Sequence, residues 1–583
     1  MHTELQEMTA EPAWQAVAPT SAEKNRGRLY VGALVAAVAL VYANTLRNAF
    51  AMDDTLLYIV HNPQVIAPSL RNLFAPHAAT NVFRPLTFSS FALDWKVGGG
   101  RPFLFHLVNL LLHGGVSVLW YVLLRTALQA YRYGKAVALI AALLFAVHPI
   151  HTEAVASITG RSELLAAGFL LGAWILHLRN REVGSLLCLA LALLSKESAV
   201  VFLPLVVVGD YAMGRWKSMG RYLRIAGVTL VYLLVLWKVQ GAHFGPAYIG
   251  ILDNPLASVP AGPRILNALR VAWKYVALQI YPATLSCDYS YNQIPLYTDW
   301  RRLLPAVIAS AVALGGWVWA VGNRKSAVAL AGGIYVAGFA ATANIVMPMG
   351  TIMGERLAYL PSAGFCLLVA LAWNWLQQRQ RMLALVLIAA AIGVLGVRTV
   401  ARNADWKNSA TLYAAAVLAV PNSAKMHQNV ALADMDAGRL DLARKELDTA
   451  LRIYPTYPQA MAAYGLLESR EGNYQTAGRM MEEAYYSIPR DDPAYDEIAV
   501  DLATIYMQTD HLEGALQVLN GEIAKSPQNA RAWANRAVIK YKRGALAEAR
   551  NDAETALRLD SYNRQARNLL QLLNAPASVV SPH

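Results

Sequence analysis

The chain has 583 residues, of which 56% are hydrophobic and only 15% are charged, and its mean hydropathy is +0.32. This composition excludes an ordinary soluble protein and indicates an integral membrane protein. The formal net charge of +13 is explained by basic clusters between apolar segments, so it does not require a nucleic-acid partner, and we expect none.

The chain begins with a polar segment. Residues 1–28 end in Lys24-Asn25-Arg26-Gly27-Arg28, and the apolar run that follows has no convincing small-residue cleavage site. We therefore expect residues 1–28 to form a cytoplasmic N-terminal tail and the apolar run to remain as a signal anchor.

Apolar segments recur as far as residue 398, and the basic clusters between them set the expected orientation. Because Lys and Arg accumulate on the cytoplasmic side, the pattern predicts about eleven crossings, with the amphipathic stretch 264–285 on the outer side and the C-terminal third outside. Several segments are shorter than the roughly 20 residues of a full crossing, so we expect broken, tilted or re-entrant helices. The predicted spans are 29–47, 103–124, 136–147, 163–178, 183–194, 198–213, 224–240, 302–321, 328–347, 359–376 and 382–398.

Two adjacent carboxylates, Asp53 and Asp54, follow the first apolar segment. An ionisable group at the membrane surface is a functional hypothesis, and a solvated loop end is the alternative. The predicted topology places a set of polar side chains on the same outer edge, which favours a catalytic cavity over a transport path with ionisable groups at varied depths. This set comprises Arg84, His106, Asn109, His148, His151, Glu153, Arg161, Glu163, Lys196, Glu197, Glu355 and Arg356.

His148, His151 and Glu153 have the side chains of metal ligands, but Pro149 interrupts the helical spacing that such a site requires. We interpret the two histidines as hydrogen-bonded structure. The three cysteines, at positions 188, 287 and 366, predict no disulfide framework.

From about residue 424 the sequence repeats with a period of 34 residues, as in Gly438 and Gly472 or Pro455 and Pro489. This is the tetratricopeptide period, which predicts helix pairs stacked into an α-solenoid. The fold alone says little about function, because such arrays bind many unrelated partners. The predicted repeats are 424–457, 458–491, 496–529 and 530–563, with a closing helix at 564–573.

Eight segments of the chain resemble the transmembrane and tetratricopeptide-repeat O-mannosyltransferases. Among them are Phe-Arg-Pro-Leu-Thr at 83–87, Gly-Arg-Ser-Glu at 160–163 and Gly-Glu-Arg-Leu-Ala-Tyr-Leu-Pro-Ser at 354–362. The match is specific because the motifs are long and occur in order. The remaining segments are 48–62, 105–109, 145–156, 194–197 and 402–406.

The resemblance implies an all-α protein with a GT-C catalytic membrane domain, residues 29–415, followed by a tetratricopeptide-repeat domain, residues 416–574. Outer loops are expected at 48–102 and 241–301, and a disordered tail at 575–583. The implied reaction moves mannose or a similar hexose from a polyprenyl-phosphate carrier to Ser or Thr of a protein. The implied location is a bacterial inner membrane with the repeats on the periplasmic or lumenal side, where a protein or peptide acceptor docks on them and membrane lipid surrounds the catalytic domain.

The implied chemistry assigns roles to the polar set. Asp53 is the expected general base, which would take the proton of the attacking hydroxyl, while Asp54 either orients Asp53 or joins it in holding a divalent cation, Mg²⁺ or Mn²⁺. The other members of the set would bind the donor and its phosphate. For Arg161 and Arg356 the structural alternative is an ion pair with the nearby Glu163 and Glu355.

Three hypotheses remain at this point. The first is protein O-glycosylation from a lipid-linked monosaccharide. The second keeps a transferase but changes the substrates to a glycolipid or glycan acceptor, or to a lipid-linked oligosaccharide donor. The third is a non-enzymatic membrane anchor that presents the repeats as a scaffold. The many ionisable groups on the outer edge favour the first two.

Overall fold

The computed structural model describes residues 21–77, 80–129, 131, 133–241, 249–323 and 326–574. Within these ranges the regular structure is entirely helical, which confirms the all-α prediction. The predicted tail at 575–583 and most of the predicted N-terminal tail lie outside the described residues. The first helix already begins at Ser21.

Long helices make up most of the first 405 residues. The segments between them carry short helical turns. In chain order the long helices are α1 (Ser21–Tyr42), α2 (Pro85–Gly98), α3 (Pro102–Ala127), α4 (Gly134–Val147), α5 (Arg161–Leu178), α6 (Glu182–Ser195), α7 (Phe202–Met213), α8 (Met219–Gln240), α9 (Ala261–Ile280), α10 (Trp300–Gly322), α11 (Ser326–Phe339), α12 (Pro361–Gln377) and α13 (Arg381–Asp405).

The predicted number of crossings is wrong. Of the helices in the described part of the chain, six are long and apolar enough to span a membrane, namely α1 with its following turn, α3, α5, α8, α10 and α13. Helices α4, α6, α7, α11 and α12, which the sequence counted as spans, have only 12 to 17 residues. At 1.5 Å per residue they reach roughly 18–26 Å, short of the roughly 30 Å hydrocarbon core.

One of these short helices belongs to a bent pair. Helix α4 and the segment Pro149–Ala156 meet at 52°, and together they would make a seventh crossing. The bend falls at His148, which has an extended backbone, directly before Pro149. Proline cannot continue the hydrogen bonding of a helix, so the break expected from the sequence is present here.

The amphipathic stretch predicted to lie on the outer side is helix α9. It is not among the candidate spans, and it buries Val271, Tyr275 and Leu278 on one face. Those side chains join an apolar core that also contains Trp406, Leu412, Tyr413 and Met426, from the start of the C-terminal third. This outer core therefore connects the membrane part to the repeats.

The C-terminal third is a succession of antiparallel helix pairs. Four pairs begin at residues 424, 458, 495 and 530, within one residue of the predicted repeat starts. The tetratricopeptide prediction is confirmed in its architecture. The helices are α14 (Ser409–Ala419), α15 (Ala424–Asp436), α16 (Leu440–Ile453), α17 (Pro458–Arg470), α18 (Tyr474–Ser487), α19 (Tyr495–Gln508), α20 (Leu512–Lys525), α21 (Ala530–Lys542), α22 (Leu546–Leu559) and α23 (Arg564–Asn574).

The turn inside each pair explains the periodic glycines. Gly438, Gly472 and Gly544 have positive φ angles of 73°, 85° and 78°, a conformation that glycine adopts without steric cost. In the third pair Asp510 takes this position with a φ of 59°. Aspartate tolerates the left-handed region better than most residues, so the third repeat keeps the turn despite its irregular sequence.

The first repeat is fixed to the outer loop that precedes α10. The backbone N–H of Ala424 donates to the Tyr291 carbonyl at 2.9 Å, and the Asn292 N–H donates to the Asn422 carbonyl at 2.8 Å. The hydroxyl groups of Ser290 and Ser423 are 2.9 Å apart. The array is therefore attached to the same end of the membrane part as this loop.

This arrangement predicts the outcome of cysteine labelling. Cysteines placed at the exposed positions Ala67 and Gln565, in a Cys188→Ser background, should react with a membrane-impermeant thiol reagent from one side of the membrane. A cysteine at the exposed Ser218, which lies between α7 and α8, should react only from the other side. Labelling of Ser218 together with Ala67 would contradict the arrangement.

Candidate functional site

The segment that carries the two adjacent carboxylates is bonded to residues 407–409, which lead from α13 into α14 and which we call the root of the array. The Ala49 N–H donates to the Lys407 carbonyl at 2.9 Å, and the Met52 N–H donates to the Ser409 hydroxyl at 3.0 Å. A single π-helical turn, Asp54–Tyr58, follows. These bonds fix the position of the segment between the membrane part and α14.

The two carboxylates have different surroundings. Asp54 is 1% exposed, and its oxygens accept the N–H groups of Ala51 at 3.3 Å and Thr159 at 3.1 Å. Asp53 is only half-buried and acts electrostatically on Tyr58, Arg356 and Tyr413. Asp54 thus joins its own segment to the turn before α5, and Asp53 is the more accessible acid.

Three ion pairs are connected to Asp53 through Arg356, which interacts electrostatically with it. Arg84 holds Glu197 with two hydrogen bonds, of 3.0 and 2.6 Å. The Lys196 ammonium pairs with Glu163, and the Arg356 guanidinium pairs with Glu153. We call this group the charged cluster. Its members are Asp53, Arg84, Glu153, Glu163, Lys196, Glu197 and Arg356.

The charged cluster is electrostatically continuous. Arg84 interacts with Glu163 as well as with Glu197, and Arg356 interacts with Asp53 and Glu163 as well as with Glu153. The side chains of Glu197 and Arg356 are each 35% exposed, whereas those of Lys196 and Glu153 are 6% and 2% exposed. The cluster therefore has an accessible rim and a buried floor.

Pairing favours the ionised form of Glu197 and of Arg356. Burial would raise the pKa of Glu197, but the Arg84 guanidinium outweighs burial and lowers that pKa to about 2. The Glu153 carboxylate raises the pKa of Arg356. For Lys196, burial lowers the pKa although Glu163 opposes the shift. The rim formed by Arg84, Glu197 and Arg356 is therefore charged at neutral pH.

Arg161 lies outside this cluster. It is fully buried, and its guanidinium donates to the Asn109 side-chain oxygen and to the Phe105 carbonyl, both at 2.8 Å. It pairs with Asp94 at 2.6 Å, so the alternative of an ion pair with Glu163 is wrong. Arg161 joins α2, α3 and α5 to one another.

A close backbone contact precedes Arg161. A Cβ atom on Gly160 would lie 2.3 Å from the Ala154 carbonyl oxygen. No side chain fits at that distance, so glycine is required for the chain to turn back into α5. The Gly-Arg-Ser-Glu motif therefore combines a packing requirement with the buried Arg161.

The three histidines of the predicted set are buried, and two of them, His148 and His151, are bonded to backbone or side-chain partners. His148 lies 2.9 Å from the Gln279 carbonyl and accepts the Ile150 N–H at 3.2 Å. His151 lies 2.8 Å from the Phe145 carbonyl and 2.7 Å from the Ser362 hydroxyl. His106 is buried beside the backbone of Asn48 and Ala49. None of the three has a hydrogen bond or ion pair to the charged cluster in the described part of the chain.

Glu355 faces away from its neighbour Arg356. Its carboxylate accepts the Ser286 N–H at 2.6 Å and the Tyr289 hydroxyl at 2.7 Å, and it interacts electrostatically with Arg402. Burial raises the pKa of Glu355 to about 7. Because Arg356 pairs with Glu153, the predicted alternative of an Arg356–Glu355 pair is also wrong.

No group of three or more His, Cys, Asp or Glu side chains in the described ranges is arranged to hold a metal ion. The Asp54 oxygens accept backbone N–H groups, and the predicted sharing of a divalent cation with Asp53 stays a prediction. His148 and His151 likewise direct their ring nitrogens to separate partners.

Sequence reasoning missed four residues that complete these arrangements. Tyr58 lies next to Asp53 and Arg84, Asp94 pairs with Arg161, and Tyr289 and Arg402 surround Glu355. A charged residue after an apolar run could have indicated Asp94, and Arg402 lies in one of the family-like segments, which assigned it no role. Nothing in the local sequence distinguishes Tyr58 or Tyr289 from other tyrosines.

The buried Asp54 predicts a pH dependence of stability. Burial raises its pKa from 3.8 to about 7 in the folded protein, although backbone N–H groups oppose the shift. Between these values the folded state holds a proton that the unfolded state has lost, so this contribution is full below about pH 4 and is lost as the pH rises through 7. Asp54→Asn should flatten the fall of the thermal unfolding midpoint between pH 5 and pH 8.

The control for this experiment is Asp436→Asn, since the Asp436 side chain is 79% exposed. It should leave the pH dependence unchanged. An Asp54→Asn variant with the wild-type slope would contradict the assignment.

The Arg161–Asp94 pair predicts a strong effect on stability. Arg161→Gln leaves a buried carboxylate without its cation, which should lower the free energy of unfolding by about 3–5 kcal/mol. The double variant Arg161→Gln with Asp94→Asn removes both charges and should recover a large part of that loss. Denaturant unfolding in detergent measures both values, and a double variant as unstable as the single one would refute the pairing.

Comparison with known proteins gives matches to both parts of the chain. A tetratricopeptide repeat family model matches residues 469–539. "Protein O-mannosyl-transferase F38B6.6" of Caenorhabditis elegans is 32% identical over 443 residues, which is 73% of this chain and 63% of that protein. "Protein O-mannosyl-transferase TMTC3" of Mus musculus is 28% identical over 91% of this chain and 64% of that protein.

A third relative, "Protein O-mannosyl-transferase TMTC4" of Homo sapiens, is 28% identical over 68% of this chain and 63% of that protein. This chain thus spans less than two thirds of the length of these relatives. The matches confirm the resemblance drawn from the sequence motifs: this membrane protein is a relative of the transmembrane and tetratricopeptide-repeat O-mannosyltransferases.

Proposed function

We propose that this protein transfers mannose or a similar hexose from a polyprenyl-phosphate carrier to Ser or Thr hydroxyls of a protein acceptor, with Asp53 as the general base. The observation that carries the proposal is the position of Asp53. This half-buried carboxylate lies beside Arg356 in the charged cluster and follows Met52, which is bonded to the root of the array. The names of the relatives supply the reaction class.

In the proposed reaction the acceptor hydroxyl attacks the anomeric carbon of the donor sugar. Asp53 takes the hydroxyl proton as the new carbon–oxygen bond forms. The bond between the anomeric carbon and the phosphate oxygen breaks, and the lipid phosphate leaves with the electron pair. General-base catalysis of this kind contributes roughly 10²–10⁴-fold.

The charged cluster suits the departure of an anion. Its carboxylates are Asp53, Glu153, Glu163 and Glu197, against three cations, so its formal charge changes from −1 to 0 when Asp53 takes a proton. The developing phosphate charge then meets a neutral cluster whose cations are already oriented by their partners. Arg84 and Arg356 reach the rim and would contact the phosphate. Lys196 lies on the buried side of the cluster and would add its positive charge from there.

We assign a different role to the buried members of the predicted set. Arg161, His106, His148, His151 and Glu355 would hold the helices and outer segments in place without touching the donor. Their partners support this assignment, because each residue except His106 has hydrogen bonds to fixed backbone or side-chain groups.

The array would act on the acceptor. Since α14 contacts the Asp53 segment directly, a protein bound along the repeats is held near the base, which raises its local concentration. Such binding lowers KM for a protein acceptor and leaves the chemical step unchanged. In this proposal the charged cluster and the array lie on the periplasmic or lumenal side, and the basic clusters at the opposite end of the membrane part support that orientation.

The proposal predicts that Asp53→Asn folds and inserts normally but loses at least about 100-fold in kcat, because the amide cannot accept the proton. The measurement is sugar transfer from a synthetic polyprenyl-phosphate mannose to a Ser- and Thr-containing peptide by the purified full-length protein. Unchanged turnover in Asp53→Asn would reject the assignment.

Asp54→Asn is the matched control, since it changes the adjacent carboxylate and should retain most of the turnover. Both variants should be assayed with Mg²⁺, with Mn²⁺ and with a chelator. Loss of wild-type activity in chelator, equal in size to the loss in Asp54→Asn, would instead assign the two carboxylates to a cation. Transfer to a glycolipid but to no peptide would change the acceptor class.

A further inference from the structure

A dense group of basic side chains lies at the end of the membrane part that is remote from the charged cluster. Helix α5 begins at Arg161 and ends 17 residues later, at Leu178, which at 1.5 Å per residue places its far end roughly 26 Å away. The turn after α5 meets the turn between α7 and α8 there. The two turns and the starts of α6 and α8 contain one acidic residue, Glu182, and six basic ones, Arg179, Arg181, Arg215, Lys217, Arg221 and Arg224.

Two of these cations converge on one neutral atom. The Lys217 ammonium and an Arg221 nitrogen donate to the side-chain oxygen of Asn180, at 3.0 and 2.8 Å. Glu182 forms a close ion pair with Arg224 and a longer one, of 3.8 Å, with Arg221. Two positive groups within hydrogen-bonding distance of the same oxygen repel each other, and an anion between them would remove that cost.

A network of hydrogen bonds to buried groups fixes the segments that carry the two cations and Asn180. Buried Asp210 accepts hydrogen bonds from His177 and from the Tyr222 hydroxyl, each at 2.7 Å. The Tyr222 hydroxyl in turn accepts the Lys217 N–H at 3.1 Å. Asn180 has a φ of 59° and donates its N–H to the His177 carbonyl at 3.1 Å. The group is therefore a formed site and not a set of loose surface charges.

Apolar side chains border the cations. Trp216 is 59% exposed, Met219 69% and Leu223 63%. The Trp216 ring is held edge-on against Tyr211 and Tyr222, with ring centroids 5.9 and 6.4 Å away. Tryptophan next to basic residues at the end of a spanning helix is typical of the lipid headgroup region.

We propose that Asn180, Lys217 and Arg221 form a binding site for the phosphodiester headgroup of an anionic phospholipid, in the leaflet away from the charged cluster. The cations bind the phosphate, and Trp216, Met219 and Leu223 contact the adjoining acyl region. The exposed apolar border selects a lipid over a free phosphate ion, which has nothing to bury there. This site is separate from the proposed transferase chemistry.

The test uses the purified full-length protein in mixed micelles, with the thermal unfolding midpoint measured against added phosphatidylglycerol, phosphatidylcholine or inorganic phosphate. Phosphatidylglycerol should raise the midpoint saturably, and the other two should not. Lys217→Gln with Arg221→Gln should weaken the apparent phosphatidylglycerol affinity about tenfold or more, since each basic residue near an anionic lipid surface contributes roughly fivefold. Lys96→Gln with Arg101→Gln removes two exposed charges near the opposite end and should leave the affinity unchanged.

Asn180→Gly keeps every charge and suits the left-handed backbone at this position, but it removes the oxygen that orients the two cations towards each other. It should weaken phosphatidylglycerol binding severalfold, and it decides the question even if the double variant does not fold. Equal effects of the two double variants, or full affinity in Asn180→Gly, would show that the overall positive charge attracts the lipid without a specific site, and would overturn the proposal. Equal stabilisation by inorganic phosphate or by phosphatidylcholine would overturn the lipid assignment.

Discussion

The contact between Glu153 and Arg356 holds the outer end of the membrane part together. Glu153 is 1% exposed and accepts both the Arg356 backbone N–H, at 2.8 Å, and its guanidinium. One carboxylate thereby fixes the bent segment after α4 to the turn before α12. A buried charge of this kind is stable only with its partner in place, so the arrangement around Asp53 depends on this pair.

The polar side chains of the outer end divide according to how fully they are bonded. Arg161, His148 and His151 direct their nitrogens to nearby protein groups, and this stabilises helix contacts in a region where an unpaired polar group would be costly. The charged cluster differs because Asp53, Arg84 and Arg356 keep part of their surface accessible. Accessibility, more than residue type, separates the two groups.

The outer end of the membrane part also fixes the position of the array. Bonds from Ala49 and Met52 to residues 407 and 409, together with those from the outer loop to residues 422–424, connect the repeats to the membrane part at two places. The apolar core that contains Trp406 and Tyr413 fills the space between these attachments. The first repeat is therefore positioned relative to Asp53 by the same contacts that stabilise the outer loops.

The sequence by itself determined the membrane class through its composition, the helix pairs through the 34-residue period, and most candidate residues through motifs that precede or follow apolar segments. Only the tertiary structure decided their partners. Arg161 pairs with Asp94, and Arg356 pairs with Glu153, 203 residues away. The predicted partners Glu163 and Glu355 do not form these pairs, because side chains one or two positions apart on a helical turn do not face each other. The number of spanning helices was likewise beyond the sequence, since apolar length does not reveal where packing ends a helix.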